Sequence, residues 1–314
     1  MVAKNGFIQI GQDFDASQAH VINSNTLLDL AGHEITSSLI NSAFITNYAK
    51  LRIIDSGENG AIESANNNVI INNKEMVIDG GRFAGNRALT TSEEQSEERG
   101  VIYNRTNATL VINNIELYIK ADYGVLNCGE MIINGGEYES DADSGAFADA
   151  RYGYCITSQA GSMIINDANV TGIHGCISVN GGTAIINNAH AETHVGAKAS
   201  STYRALYIAG EVGIAGVEIN GGYFKSANRE ALLTGNKNDG GVGALAMTTI
   251  HGGTFINGKG GTNPAVVVSN GTSGNNYGIG MMTISGGKFS SDVSGATGVT
   301  TCVQGSDGLW VVNA

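Results

Sequence analysis

The sequence predicts an all-β chain wound as a parallel β-helix, a solenoid of about ten coils, and three observations carry that expectation. First, one short motif recurs from end to end. MIINGGEY from Met131 is rewritten as MVIDGGRF from Met76, LVINNIEL from Leu110, MIINDANV from Met163, AIINNAHA from Ala184, VEINGGYF from Val217, TTIHGGTF from Thr248 and MTISGGKF from Met282. Second, the polar residue after each Ile (Asp79, Asn113, Asn134, Asn166, Asn187, Asn220, His251, Ser285) recurs at spacings of 34, 21, 32, 21, 33, 31 and 34 residues. Repeats of that length are single units that bury a core only by stacking on their neighbours. Third, the apolar period within the motif is two, with glycines where a helix would need continuity, and this selects strand.

Taken in order, residues 1–25 are too short for a separate domain and are expected to cap the column or attach it. The β-helix then runs over 26–314. Two looser copies open it, Leu27-Leu28-Asp29-Leu30-Ala31-Gly32-His33 and Leu51-Arg52-Ile53-Ile54-Asp55-Ser56-Gly57. The regular copies follow, and alternation along a strand sends Ile78, Ile112, Ile133, Ile165, Ile186, Ile219, Ile250 and Ile284 inward to stack. Phe83, Leu117, Tyr138, Val170, Phe224, Phe255 and Phe289 are expected to do the same. A second strand precedes the motif in each coil, as in GVIYN from Gly100, GVLNC from Gly124, YCITS from Tyr154 and GCISV from Gly175. Insertions near 84–99, 139–153 and 192–204 fall between the motif and this strand, and later ones near 235–246 and 269–281 fall at the other turn. Such edges are where a solenoid usually places binding surface. Leu309-Trp310-Val311-Val312 closes the chain, with Trp310 expected to plug a cap over 302–314.

Bulk composition sets limits. The 314 residues include 45 Gly and one Pro, Pro264, and 42% are hydrophobic, enough to bury a core despite so many turns. A formal charge of -12 argues against a nucleic-acid partner and an anionic membrane surface, since no Lys and Arg cluster is present to meet phosphates. No apolar run of transmembrane length occurs, so no membrane insertion is expected. The start, MVAKNGFIQIGQ, has no cationic region followed by an apolar one, so no secretion signal is expected. Cys128, Cys155, Cys176 and Cys302 show neither CxxC nor zinc spacing. Cys155 and Cys176 hold the same place in adjacent repeats and are expected to stack as small core residues. The anchors Asn113, Asn134, Asn166, Asn187 and Asn220 are expected to form a ladder of amides along the stack, a structural device.

Candidate functional residues come from the outward positions. Glu116 and Glu137 lie three residues past successive anchors, so they put two carboxylates side by side about 4.8 Å apart, near the separation a retaining glycosidase uses. Arg82, one coil away, would instead make them part of a solvated charged ladder. Asp141, Asp143 and Asp149 surround a glycine turn and supply the oxygen ligands a Ca²⁺ cofactor would take, without completing a calcium-loop pattern. Otherwise they are ordinary loop acids, and no cofactor is expected. Arg151, Tyr152, Tyr203 and Arg204 are placed to stack on and grip a sugar. Val77, Val111, Ile132, Ile164 and Ile185 form an outward aliphatic stripe through five coils. A contiguous exposed stripe of that kind is usually covered by a partner or by the protein's own loops, although β-branched residues also simply suit strands. The expectation is that this face packs in a homo-oligomer, such as a trimer, or against a virion shell.

Leu28-Asp29-Leu30-Ala31-Gly32-His33-Glu34-Ile35, then Ile53-Ile54-Asp55-Ser56-Gly57-Glu58-Asn59-Gly60, resemble the opening coils of pectate-lyase-like right-handed β-helix proteins, as Ile284-Ser285-Gly286-Gly287-Lys288-Phe289 does near the end. Such segments are common in surface proteins of gut bacteria and in virion proteins of their phages. The resemblance implies a right-handed column over nearly the whole chain and specifies architecture, not activity. Polygalacturonases carry an NTD tripeptide, a DD pair, a GHG and an RIK; here Gly172-Ile173-His174-Gly175 resembles only the GHG. The clustered aspartates and basic residue of calcium-dependent pectate lyases cannot be assembled. Lacking a secretion signal and a cell-wall anchor, the chain looks more like the phage version, which assembles in the host cytoplasm. The expected function is a non-enzymatic structural or adhesive virion protein, such as a head fibre, decoration protein or tail-associated fibre. Its expected partners are other virion proteins and host-surface glycans. The alternatives are a polysaccharide lyase or hydrolase acting between the long loops, and a bacterial surface adhesin module whose export signal lies outside this sequence.

Overall fold

Each repeat becomes one coil of three short strands, because the motif bends in its middle. The computed structural model describes residues 6–40, 42–66, 68–85, 100–119, 123–141, 153–194, 204–210, 212–235, 244–258, 264–269 and 280–313. Glu130–Ile133 and Glu137–Ser140 come from a single motif yet lie in different sheets, here sheet A and sheet B. The bend falls on the Gly-Gly pair. Gly136 has φ +119°, and a Cβ there would stand 2.7 Å from the carbonyl oxygen of Ile115 in the preceding coil, which only glycine tolerates. The expected two strands per coil are thus corrected to three, with the strand before the motif, such as Tyr154–Ser158, forming sheet C.

Among the described residues sheet A has eleven strands, sheet B thirteen and sheet C ten, and successive coils pair in parallel along the column. The column is therefore a parallel β-helix of eleven coils in sheet A, one more than the motif copies suggested. The extra coil is Phe7–Gln9, Phe14–Ala16 and His20–Ile22, which pairs on all three sides with the next one. At the other end Trp310–Val312 turns back antiparallel between Gly287–Phe289 and Cys302–Gln304, with Trp310 partly buried against the core.

The inward residues stack in register. Ile133 pairs with Ile165 and Ile165 with Ile186, and all three are fully buried, as are Ile78, Ile112, Ile219, Ile250 and Ile284. Each such side chain contributes roughly 1.5–3 kcal/mol through burial. In sheet B, Phe224, Phe255 and Phe289 stack with centroids 5.0 and 5.2 Å apart. Cys155 and Cys176 are buried free thiols at equivalent places in adjacent coils, and burial pushes both well above the ordinary thiol range.

Two polar ladders run along the column. On the outside, Asn134 donates to Asn113 at 2.8 Å, Asn166 to Asn134 at 2.7 Å, Asn187 to Asn166 at 2.8 Å and Asn220 to Asn187 at 2.8 Å. Asn113 in turn donates to the Asp79 carboxylate. Inside, where sheet C turns towards sheet A, Asn47 donates to Asn72, Asn72 to Asn104 and Asn104 to Asn127, each at 2.8 Å. These four amides are fully buried. They also bond turn carbonyls, as Asn104 does to Glu130 at 2.9 Å, so no coil-to-coil corner leaves them unpaired.

Candidate functional site

The bend in the motif separates the candidate residues onto two faces. The aliphatic stripe belongs to sheet A: Val77 pairs with Val111, Val111 with Ile132, Ile132 with Ile164 and Ile164 with Ile185. All five are half-buried, as expected for side chains standing shoulder to shoulder on a flat sheet. The charged row belongs to sheet B, where Glu116 pairs directly with Glu137 and both are exposed.

Strands Glu116–Ile119 and Glu137–Ser140 hold these two carboxylates because Leu117 and Tyr138, next in sequence, are anchored in the core. A shallow depression surrounds them, lined also by Glu34, Asp55, Arg82 and Asn114. Glu137 accepts a 2.7 Å hydrogen bond from Asn169 in the next coil. Arg82 turns the other way and pairs with Glu63 at 2.6 Å. The expected neutralisation of Glu116 and Glu137 by Arg82 is corrected accordingly. Glu63, in the preceding coil and in register with Ala84, lies within direct reach of the guanidinium, and a charge-assisted bond formed there holds it.

Asp141 lies on the same face and accepts a 2.6 Å hydrogen bond from the Tyr118 hydroxyl. Partial burial, and then that bond, pushes the Tyr118 hydroxyl up to about 12. Asp143 and Asp149 lie outside the described residues, and among the described residues no three His, Cys, Asp or Glu side chains converge as a metal site. Further along, Lys225 bonds Glu192 at 2.5 Å, which with the nearby imidazoles holds the Glu192 carboxyl below its usual range.

Of the four residues expected to grip a sugar, Arg151, Tyr152 and Tyr203 lie outside the described residues. Arg204 is on sheet C with its guanidinium on Glu230 and 5.6 Å over the Tyr207 ring. Side-chain exposures of 12% and 9% make this a nearly buried ion pair, so Arg204 holds the sheet face together.

Comparison with protein-family models, curated proteins and solved structures finds no match to the chain. The functional reading therefore rests on the surface chemistry of the column.

One face was missed from sequence. The outside of sheet C is buried around Tyr103, Tyr123 and Leu126, and again around Tyr154, Tyr207 and Leu233. Its signal was present in GVIYN, GVLNC, YCITS and RALYI, where apolar residues occupy both parities of the strand, the pattern of a strand covered on two sides. The inner Asn ladder was also legible, since Asn72, Asn104 and Asn127 each end one of these strands. Chemically, then, sheet C is a covered face, sheet B an acidic polar face, and sheet A a flat face with an aliphatic centre. No helix among the described residues is long and apolar enough to cross a membrane.

Proposed function

We propose that this chain is a non-enzymatic structural or adhesive protein, a rigid column of the pectate-lyase-like, right-handed type carried on a phage particle. It would serve there as a head fibre, decoration protein or tail-associated fibre. Sheet A attaches the column to its assembly, and the loop-bearing edges meet host-surface glycans. The observation that supports this most is the aliphatic row from Val77 to Ile185 on sheet A, flanked on one side by the Asn113–Asn187 amide ladder and on the other by Glu75, Thr109, Glu130, Ser162 and Thr183. The outward carboxylates elsewhere are mostly engaged in coil-to-coil bonds, as Glu63, Glu137, Asp141 and Glu192 are. The test is co-purification with particles. The chain should band with intact virions in a density gradient, and Ile132→Lys should release it while leaving its circular dichroism unchanged. Equal particle association of Ile132→Lys and the parent would reject sheet A as the attachment face.

A second reading has one observation in its favour, the direct register of Glu116 and Glu137 in a depression. In that reading the pair hydrolyses or eliminates a glycan bond. Incubation with host capsule or pectin-like glycans decides it. New reducing ends or unsaturated products that vanish in Glu137→Gln would establish the enzyme and displace the structural reading. A bacterial surface adhesin remains the third form of the same display function.

A further inference from the structure

The aliphatic row on sheet A is bracketed by opposite charges. Arg52 occupies the outward position in the coil before Val77, and Glu218 occupies it in the coil after Ile185. Five aliphatic residues thus lie between a cation and an anion at about 4.8 Å per coil, with Ile132 at the midpoint. A two-fold axis along the strand through Ile132 lays this row on itself in reverse. Ile132 then meets Ile132, Val111 meets Ile164 and Val77 meets Ile185. Arg52 of each copy meets Glu218 of the other. We propose that sheet A is a two-fold dimer face whose partner is a second copy of this chain, the columns running antiparallel.

Three further features support a second copy as the occupant. Arg52 bonds Asp79 through Nε and its side chain is 63% exposed, so its terminal nitrogens remain to meet a carboxylate. Glu218 is exposed. The Asn ladder beside the row uses one N–H and one oxygen lone pair of each amide along the stack, leaving a donor and an acceptor per rung. Only a surface with the same coil repeat matches all of those rungs at once, and another copy has it. Seven strands of this width cover on the order of 500 Å² per copy, the size of a reversible interface. Glu130, on the flanking row in register with Thr109 and Ser162, approaches its own symmetry mate near the axis and weakens the contact.

The inference rests on the reading of sheet A as an assembly face and takes the dimer closed through that face as the unit carried on the particle, so Ile132→Lys would act there by opening the dimer. Its test is separate from particle association. Sedimentation velocity on the full chain over a concentration series gives the dimerisation constant. The parent should move from monomer to dimer with concentration, and Glu130→Gln should dimerise more tightly. Arg52→Glu alone and Glu218→Arg alone should each weaken dimerisation by at least about tenfold, since each places like charges in contact twice. An equimolar mixture of Arg52→Glu and Glu218→Arg should recover the dimer, because both contacts are then opposite in sign. Misfolding cannot produce that recovery. A parent that stays monomeric, a trimer mass, or a mixture no tighter than its components would overturn the two-fold face. Particle association would then still be measurable on the parent chain.

Discussion

Asn104 and Asn166 are both ladder residues, and their different burial gives them different energetic weight. Asn104 is fully enclosed, accepts from Asn72, and donates to Asn127 and to the Glu130 carbonyl. Asn104→Ala strands these groups away from water and should cost about 2–4 kcal/mol in chemical denaturation. Asn166 is exposed, so water replaces its partners, and Asn166→Ala should cost no more than about 1 kcal/mol. Asp29 offers a pH test at the same scale. Burial would raise its carboxyl, but bonds from the Ser56 hydroxyl and amide, Ala31 and Gln9 outweigh this and lower it. A lowered carboxyl binds its proton less readily folded than unfolded, so its stabilisation is complete above the ordinary carboxyl value. It drains away as the pH falls through the lowered one. Thermal melts between about pH 5 and pH 2 should fall more steeply for the parent than for Asp29→Asn. Equal slopes would remove Asp29 from the acid response.

At the scale of the strand, the repeat made most of the core legible. A strict period of two around Ile133, Ile165 and Ile186 leaves only one face to bury, so the inward residues could be named from sequence. What it hid was the corner. Residues on either side of Gly135-Gly136 follow one alternation on paper, yet the positive φ of Gly136 turns the chain into another sheet. The aliphatic and acidic rows consequently part company. The candidate site was less legible than the core for the same reason, and also because a carboxylate's partner depends on rotamer, as Arg82 choosing Glu63 shows. Apolar residues on both parities, as in GVIYN and YCITS, mark a strand covered on two sides, a cover that the single-faced period of the repeated motif does not reveal. The aromatic stack tests the strand register energetically. Phe255 has a ring on each side, and Phe255→Ala should lose about 3–5 kcal/mol, with Phe255→Leu recovering most of it. A loss below about 1 kcal/mol would mean that the rings do not stack.

Over the whole molecule, coils touch only their neighbours, so the column is stiff along its length and its ends are its weak points. The far end is closed by the antiparallel turn of Trp310–Val312 on Gly287–Phe289, while the described residues of the near end begin with the parallel strands of the first coil. The proposed use of sheet A for assembly and of the polar face for display depends on the coils being stacked. Spin labels at Asn113→Cys and Asn220→Cys measure that stacking most directly. These positions are four rungs apart on the outer ladder, although 107 residues separate them in sequence. Cys128 and Cys302 would be replaced by Ser, while Cys155 and Cys176 are buried and escape labelling. With the labelled chain diluted in unlabelled chain, pulsed electron resonance should give one narrow distance near about 20–25 Å, the four coil steps plus the label arms. A broad distribution, or one centred beyond about 35 Å, would contradict the column.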